Sequence, residues 1–281
     1  MDKKEKISLA LVDILKAGAY FLIYFLSQIL VGIVLGVVFM IAMPNESIDE
    51  LLVVYSLEIT VISNAISIIF CIVLMRAMEK KSTADGLDMK VSFIRPKTVL
   101  GLSLALGVFG QYALIMLLSL IPFPESWWDM QSTNSELITS GSFGMQIVAV
   151  AIMAPLAEEI IFRACIQGTL SRHLPKWVAI VSASLIFGLM HGNPIAIIYA
   201  TILGILMGWL YSEFKSIFPS MIFHLGFNLT SILMGNGPPI IIAIIATTFF
   251  AVSLAFLAYI SVLNKTGGNK NDEGDNNNEA L

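Results

Sequence analysis

Long apolar stretches separated by short polar intervals fill most of the chain. The first, Ala17 to Met43, carries no charged residue. It exceeds both the roughly 7 to 15 residues of a signal-peptide core and the roughly 20 needed to cross a bilayer, so it predicts a retained membrane helix. An acidic loop with Glu46, Asp49 and Glu50 leads to a second span, Leu52 to Met75, and a basic loop follows over 76–97. Thr98 to Pro122 is a third, uncharged span. Phe123 to Ser142 reads as a long acidic loop whose Trp127 and Trp128 suit the headgroup level. The fourth span, Phe143 to Leu170, ends in a polar turn with Arg172, His173 and Lys176, where His173 reads as a solvated loop residue. The fifth, Trp177 to Met190, breaks at His191, Gly192, Asn193 and Pro194. Ile195 to Tyr211, Ile217 to Met234 and Ile240 to Leu263 complete eight segments, and 264–281 is a tail disordered by composition. The prediction is an all-α polytopic bundle of about eight transmembrane segments. It comprises a cytoplasmic segment 1–16, a membrane domain 17–263 and a cytoplasmic tail 264–281.

Composition agrees. With 57% hydrophobic and 13% charged residues and a mean hydropathy of +0.85, the chain lies far from a soluble globule, where about a quarter of residues are charged. This is a multi-pass protein of the cell membrane. The sequence has no basic patch with interleaved aromatics, the signature of a nucleic-acid partner. With a cytoplasmic N-terminus, alternation puts the basic residues of every loop, tail and helix end on the cytoplasmic side and none outside, which sets the orientation. Cys71 and Cys165, far apart in apolar runs, read as small buried hydrophobes. Gly32 with Gly36, and Gly204 with Gly208, match a close-packing helix motif. Glu58, near the outer end of its span, reads as an interfacial carboxylate.

Against this background the decapeptide Ala154 to Arg163 stands out, because it places Glu158, Glu159 and Arg163 in an apolar run. Charges inside a membrane are expensive and usually functional. On a helix, Glu159 and Arg163 are four apart and can pair, whereas Glu158 points about 100 degrees away and is left free. An unpaired carboxyl held away from water is a suitable proton acceptor for general-base chemistry. Pro155 loosens the helix nearby. The bland alternative is an ion cluster that only holds the bundle together.

Two further groups lie on later segments. Phe187 and His191 close the short fifth segment, whose roughly 22 Å of helix cannot reach across a hydrocarbon core of roughly 30 Å. The break after it therefore falls below the surface, in protein or a wet cavity. His224 and Asn228 share one face of the seventh segment, with Gly226 between them allowing close approach. Taken singly, His191 reads equally well as a helix cap and His224 as one end of an interhelical hydrogen bond. Residue counting puts Glu158 and His191 at mid-membrane and His224 nearer the cytoplasmic side.

In this order and on successive apolar segments, Glu158-Glu159-x-x-x-Arg163, Phe187-x-x-x-His191 and His224-x-x-x-Asn228 resemble the three motifs of the CAAX protease and bacteriocin-processing family, which includes the type II CAAX prenyl endopeptidases. The resemblance covers about 145–235. It implies an intramembrane endopeptidase in which Glu158 with His191 activates water, His224 and Asn228 stabilise the oxyanion, and Glu159, Arg163 and Phe187 support the site. No cofactor is implied. The alternative scheme has zinc held by Glu158, His191 and His224 with Glu159 as base, although HExxH is absent and Asn228 is a poor zinc ligand. The expected partners are the bilayer and a membrane-associated peptide or protein, in family terms a prenylated tail or a bacteriocin-type peptide. The pocket is expected to open laterally or toward the cytoplasm. A non-catalytic immunity or scaffold protein, and a proton-coupled transporter relaying through Glu158 and the histidines, are the competing readings.

Overall fold

The structure, a computed structural model, describes residues 2–78, 95–139, 141–234 and 239–275, with side chains as far as 266. Ten helices appear among them, and no strand. They are α1 (Lys3–Ala42), α2 (Ile48–Val54), α3 (Ser56–Met78), α4 (Pro96–Ser119) and α5 (Glu125–Thr139). These are followed by α6 (Phe143–Leu170), α7 (Lys176–Leu189), α8 (Pro194–Phe214), α9 (Phe218–Leu233) and α10 (Ile240–Asp275). Six are long and apolar enough to cross a membrane, while α7 and α9 are shorter apolar helices. The protein is a polytopic helical membrane bundle.

Helix α6 sits at the centre, packed by α1, α3, α7 and α9, and α4 closes the bundle against α9 and α10. Its second half is buried without interruption from Glu159 to Gln167. A long stretch of α6 is π-helical, over Ile147–Met153 and again over Glu159–Gln167. Pro155, between the two, lacks the N–H that an α-helix would need there, and wide turns absorb the defect. Such turns are rare and cluster at functional sites.

Several boundaries differ from the sequence reading. Residues 123–142 are mostly helix rather than loop. The half-buried positions of α5, Trp127, Gln131, Asn134 and Leu137, recur every three or four residues. That face is amphipathic in geometry, but two of its four members are polar, which hides it from a hydropathy reading. The second span is broken at Tyr55, with α2 lying before it as a separate helix of about two turns whose first turn carries Asp49 and Glu50 at the positive helix end. The tail reading is corrected over 264–275, where α10 continues, because extending an existing helix costs far less than starting one. Residues 276–281 lie outside the described residues, as does most of the basic loop, 79–94. His173 is not a free loop residue: its Nδ1 lies 2.6 Å from Asp13 Oδ2 on α1. Glu58 is half-buried, with Oε2 enclosed and unpartnered. Cys71 and Cys165 are buried free thiols.

The described loop and terminal Lys and Arg residues gather at one end of the bundle, here called the basic face. The sequence on the opposite, acidic face holds Glu46, Asp49, Glu50, Glu58, Glu125, Asp129 and Glu136, and no Lys or Arg. On the basic face, Glu213 of α8 is bonded by Lys176 of α7 and by Lys265 and Ser261 of α10. The small-residue motifs divide. Gly32 has open space where a Cβ would stand, whereas at Gly204 and Gly208 it would meet Ser184 Cβ at 3.0 Å and Gln167 Oε1 at 2.6 Å.

The tightest backbone approach is at Gly107 on α4, where a Cβ would fall 2.1 Å from the Phe223 carbonyl oxygen on α9. Gly107→Ala is therefore expected to cost about 1–3 kcal/mol, an overpacking penalty. Thermal unfolding in detergent should show a lowered midpoint for Gly107→Ala and none for Gly32→Ala.

Candidate active site

Glu159 is the electrostatic centre of the site. Its Oε2 accepts from Arg163 Nε at 3.2 Å, with both side chains wholly buried, and its Oε1 lies 3.1 Å from His224 Nδ1. A carboxylate only accepts, so the Nδ1 of His224 carries a proton and donates it to Glu159. The Arg163 guanidinium also stacks over Phe187, 5.2 Å from the ring centroid. Phe187 in turn meets the ring edges of His191 and His224, at 4.9 Å and 6.0 Å between centroids. One aromatic ring thus spaces both histidines and caps the cation. The sequence placed Phe187 beside the site without showing this contact.

Glu158 does something else. Its side chain retains 16% exposure and lines a cavity of about 870 Å³ together with His191, His224 and Asn228. Its Oε2 lies 3.6 Å from His224 Nε2, too long for a good hydrogen bond but close enough for the two to share a proton through small motions. Glu158 and His191 also border a second cavity of about 120 Å³, completed by Tyr24, Phe162, Phe187 and Met190. That volume is large enough for a water molecule, and Glu158 and His191 are polar groups that could hold one.

The break between α7 and α8 fixes His191. Gly192 adopts φ +77, a left-handed conformation suited to glycine, and the Asn193 side chain caps α8 by accepting from Ala196 N at 2.8 Å. The His191 Nδ1 lies 3.0 Å from the Phe187 carbonyl. A carbonyl only accepts, so Nδ1 is the protonated nitrogen and Nε2 keeps its lone pair. Asn134 Nδ2 of α5 reaches the His191 carbonyl at 3.4 Å. Asn228 donates one amide hydrogen to the Val150 carbonyl, 2.9 Å away on α6, and retains a second. Gly226 serves a different contact, the close packing of α9 on α4, since a Cβ there would sit 2.9 Å from the Leu104 side chain and 3.0 Å from its carbonyl oxygen.

His224 lies beside both glutamates, although residue counting put it nearer the cytoplasmic side. Wide π turns take up more residues for the same length, so counting at the α-helical rise misplaces side chains along α6. The large cavity is lined by the acidic-face ends of α3, α4 and α9 and by α5, and beyond Glu158 the central helix is buried without interruption from Glu159 to Gln167. Among the described residues, no group of three or more His, Cys, Asp and Glu is arranged to hold a metal ion. Tyr24 and Tyr199 also border the two cavities, and a tyrosine within an apolar run gives no signal that it faces a site.

Arg163→Met leaves the Glu159 carboxylate buried without its cation, and breaking such a pair costs about 3–5 kcal/mol. The unfolding midpoint should fall sharply for Arg163→Met and recover much of the loss in Glu159→Gln/Arg163→Met. An unchanged midpoint in the single variant would remove the pair from the account.

Comparison with known proteins converges on the same segment. Residues 140–230 match the family model described as type II CAAX prenyl endopeptidase Rce1-like. A curated relative, "Putative membrane peptidase YdiL" of Bacillus subtilis (strain 168), is 24% identical over 184 residues, which cover 62% of this chain and 72% of that protein. No solved structure gives a significant match. The matched segment contains all three motifs and the cavity-lining Glu158, His191, His224 and Asn228, and over it this multi-pass membrane protein is similar to the type II CAAX prenyl endopeptidases.

Proposed function

We propose that the protein is an intramembrane endopeptidase that hydrolyses a peptide bond in a membrane-associated peptide or protein. The observation that carries this reading is the shared position of Glu158 and His191. Both border the small cavity that can seat water and the large cavity that can admit a substrate. In the proposed reaction, water between them loses a proton to Glu158 or to the free Nε2 of His191, and its oxygen attacks the scissile carbonyl. Charge then develops on the carbonyl oxygen. In this scheme His224 is an imidazolium, with its Nδ1 proton hydrogen-bonded to Glu159 and its Nε2 proton free, and it donates to that oxygen together with the second amide hydrogen of Asn228. Collapse of the tetrahedral intermediate breaks the C–N bond, and the base returns its proton to the leaving amine. Glu159 and Arg163 take no proton in this scheme; they hold His224 in place.

Such groups act only on an extended strand, because a helical carbonyl is engaged and shielded. The substrate segment therefore unwinds before attack. A metal-free mechanism is part of the proposal, and the test includes a chelator.

Purified protein in detergent should cleave members of a pool of internally quenched peptides. His191→Ala and His224→Ala should abolish turnover, and Asn228→Ala should lower kcat by roughly 10²–10³-fold, the loss of one oxyanion donor. Activity should survive a chelator. Activity lost on chelation and restored by zinc would replace this scheme with a metal-based one, and wild-type turnover in His191→Ala would overturn it.

A further inference from the structure

The large cavity is mostly apolar, and its polar side chains are nearly all committed. Thr60, Ser119, Ser135 and Ser231 donate their hydroxyls to carbonyls of their own helices. Asn228 is held by Val150. Two residues away from the catalytic wall differ. Gln111 of α4 and Gln131 of α5 line the cavity, and in each the carboxamide oxygen is enclosed and has no hydrogen-bond partner. An enclosed, unpaired acceptor is costly, and a site that keeps two of them has a donor to receive.

An extended peptide supplies such donors. Once it leaves water, each backbone N–H needs an acceptor, and an apolar wall offers none. Gln111 lines the cavity from the acidic-face half of α4, and Gln131 lines it from α5. Asp129 and Glu136 are exposed on the same helix α5, and the sequence of the acidic face carries seven carboxylates and no Lys or Arg. Membrane orientation accounts for the missing cations on that face, but it makes no demand for carboxylates. A field of this sign draws neutral or basic segments and repels acidic ones.

We infer that the substrate enters from the acidic face beneath α5 as an extended, neutral or basic segment. Gln111 and Gln131 accept its backbone N–H groups and lead it to Glu158. This rests on the peptidase reading for what happens to the segment, and its test is arranged to stand apart from turnover.

The entry face is read by thiol labelling, for which the buried Cys71 and Cys165 give a low background. Ser135→Cys, in the cavity wall, and Ser171→Cys, in the basic-face turn, are treated with a membrane-impermeant maleimide in right-side-out and inverted vesicles. The two positions should label from opposite faces; labelling from the same face overturns the inference. The Gln contacts are read by retention of the quenched-peptide pool on a Glu158→Gln background, where cleavage is not required. Gln111→Met and Gln131→Met should each weaken retention roughly fivefold, about the loss of one hydrogen bond. Gln131→Glu, which keeps an acceptor, should restore retention of basic peptides. Equal retention in all variants overturns the inference. Retention as expected without cleavage by the wild type would sink the peptidase reading and leave this one standing.

Discussion

A carboxylate placed where no water reaches it must be satisfied by the protein, and Glu159 is satisfied twice, by Arg163 on its own helix and by His224 on α9. Buried ion pairs of this kind add little net stability, because desolvation consumes most of the Coulombic gain. What they supply is geometry. With Glu159 between them, the central helix and α9 have one register, and the imidazole of His224 has one orientation. Phe187 extends the arrangement to α7 by lying against Arg163 and both histidines. Helices α6, α7 and α9 are thereby locked around Glu158.

That lock explains why two neighbouring glutamates differ. Glu159 faces the packed interior and is consumed by structure, while Glu158, one residue earlier, faces the cavities and has only a long contact to His224. The short helices serve the same end. Because α7 stops at Leu189, its terminal turn and His191 lie within the bundle rather than at its surface, and the turn through Gly192 returns the chain as α8. Non-helical backbone at such depth is tolerable because α5 and the cavity wall enclose it.

Much of this was legible in the sequence. Eight apolar stretches emerge from hydropathy alone, and the four-residue spacing of Glu159 and Arg163 separates the paired acid from the free one. The failures have physical causes. Helix α5 escapes notice because its inward face uses Gln131 and Asn134 where a hydropathy pattern needs apolar residues. The π turns of α6 leave no periodic signature, so depths counted along it misplaced Glu158 relative to His224 of α9. His173 looks like a surface residue because its partner, Asp13, lies on the far-off first helix. The direction of the cavity could not be read at all, since it depends on which half of the bundle is filled. Beyond Glu158 the central helix is buried without interruption from Glu159 to Gln167.

The central claim is the division of labour between the adjacent acids, and paired isosteric substitutions test it most directly by measuring turnover and unfolding midpoint on the same preparations. The account predicts that Glu158→Gln unfolds like the wild type and has no detectable turnover, while Glu159→Gln unfolds at a lower temperature. Wild-type turnover in Glu158→Gln would contradict it.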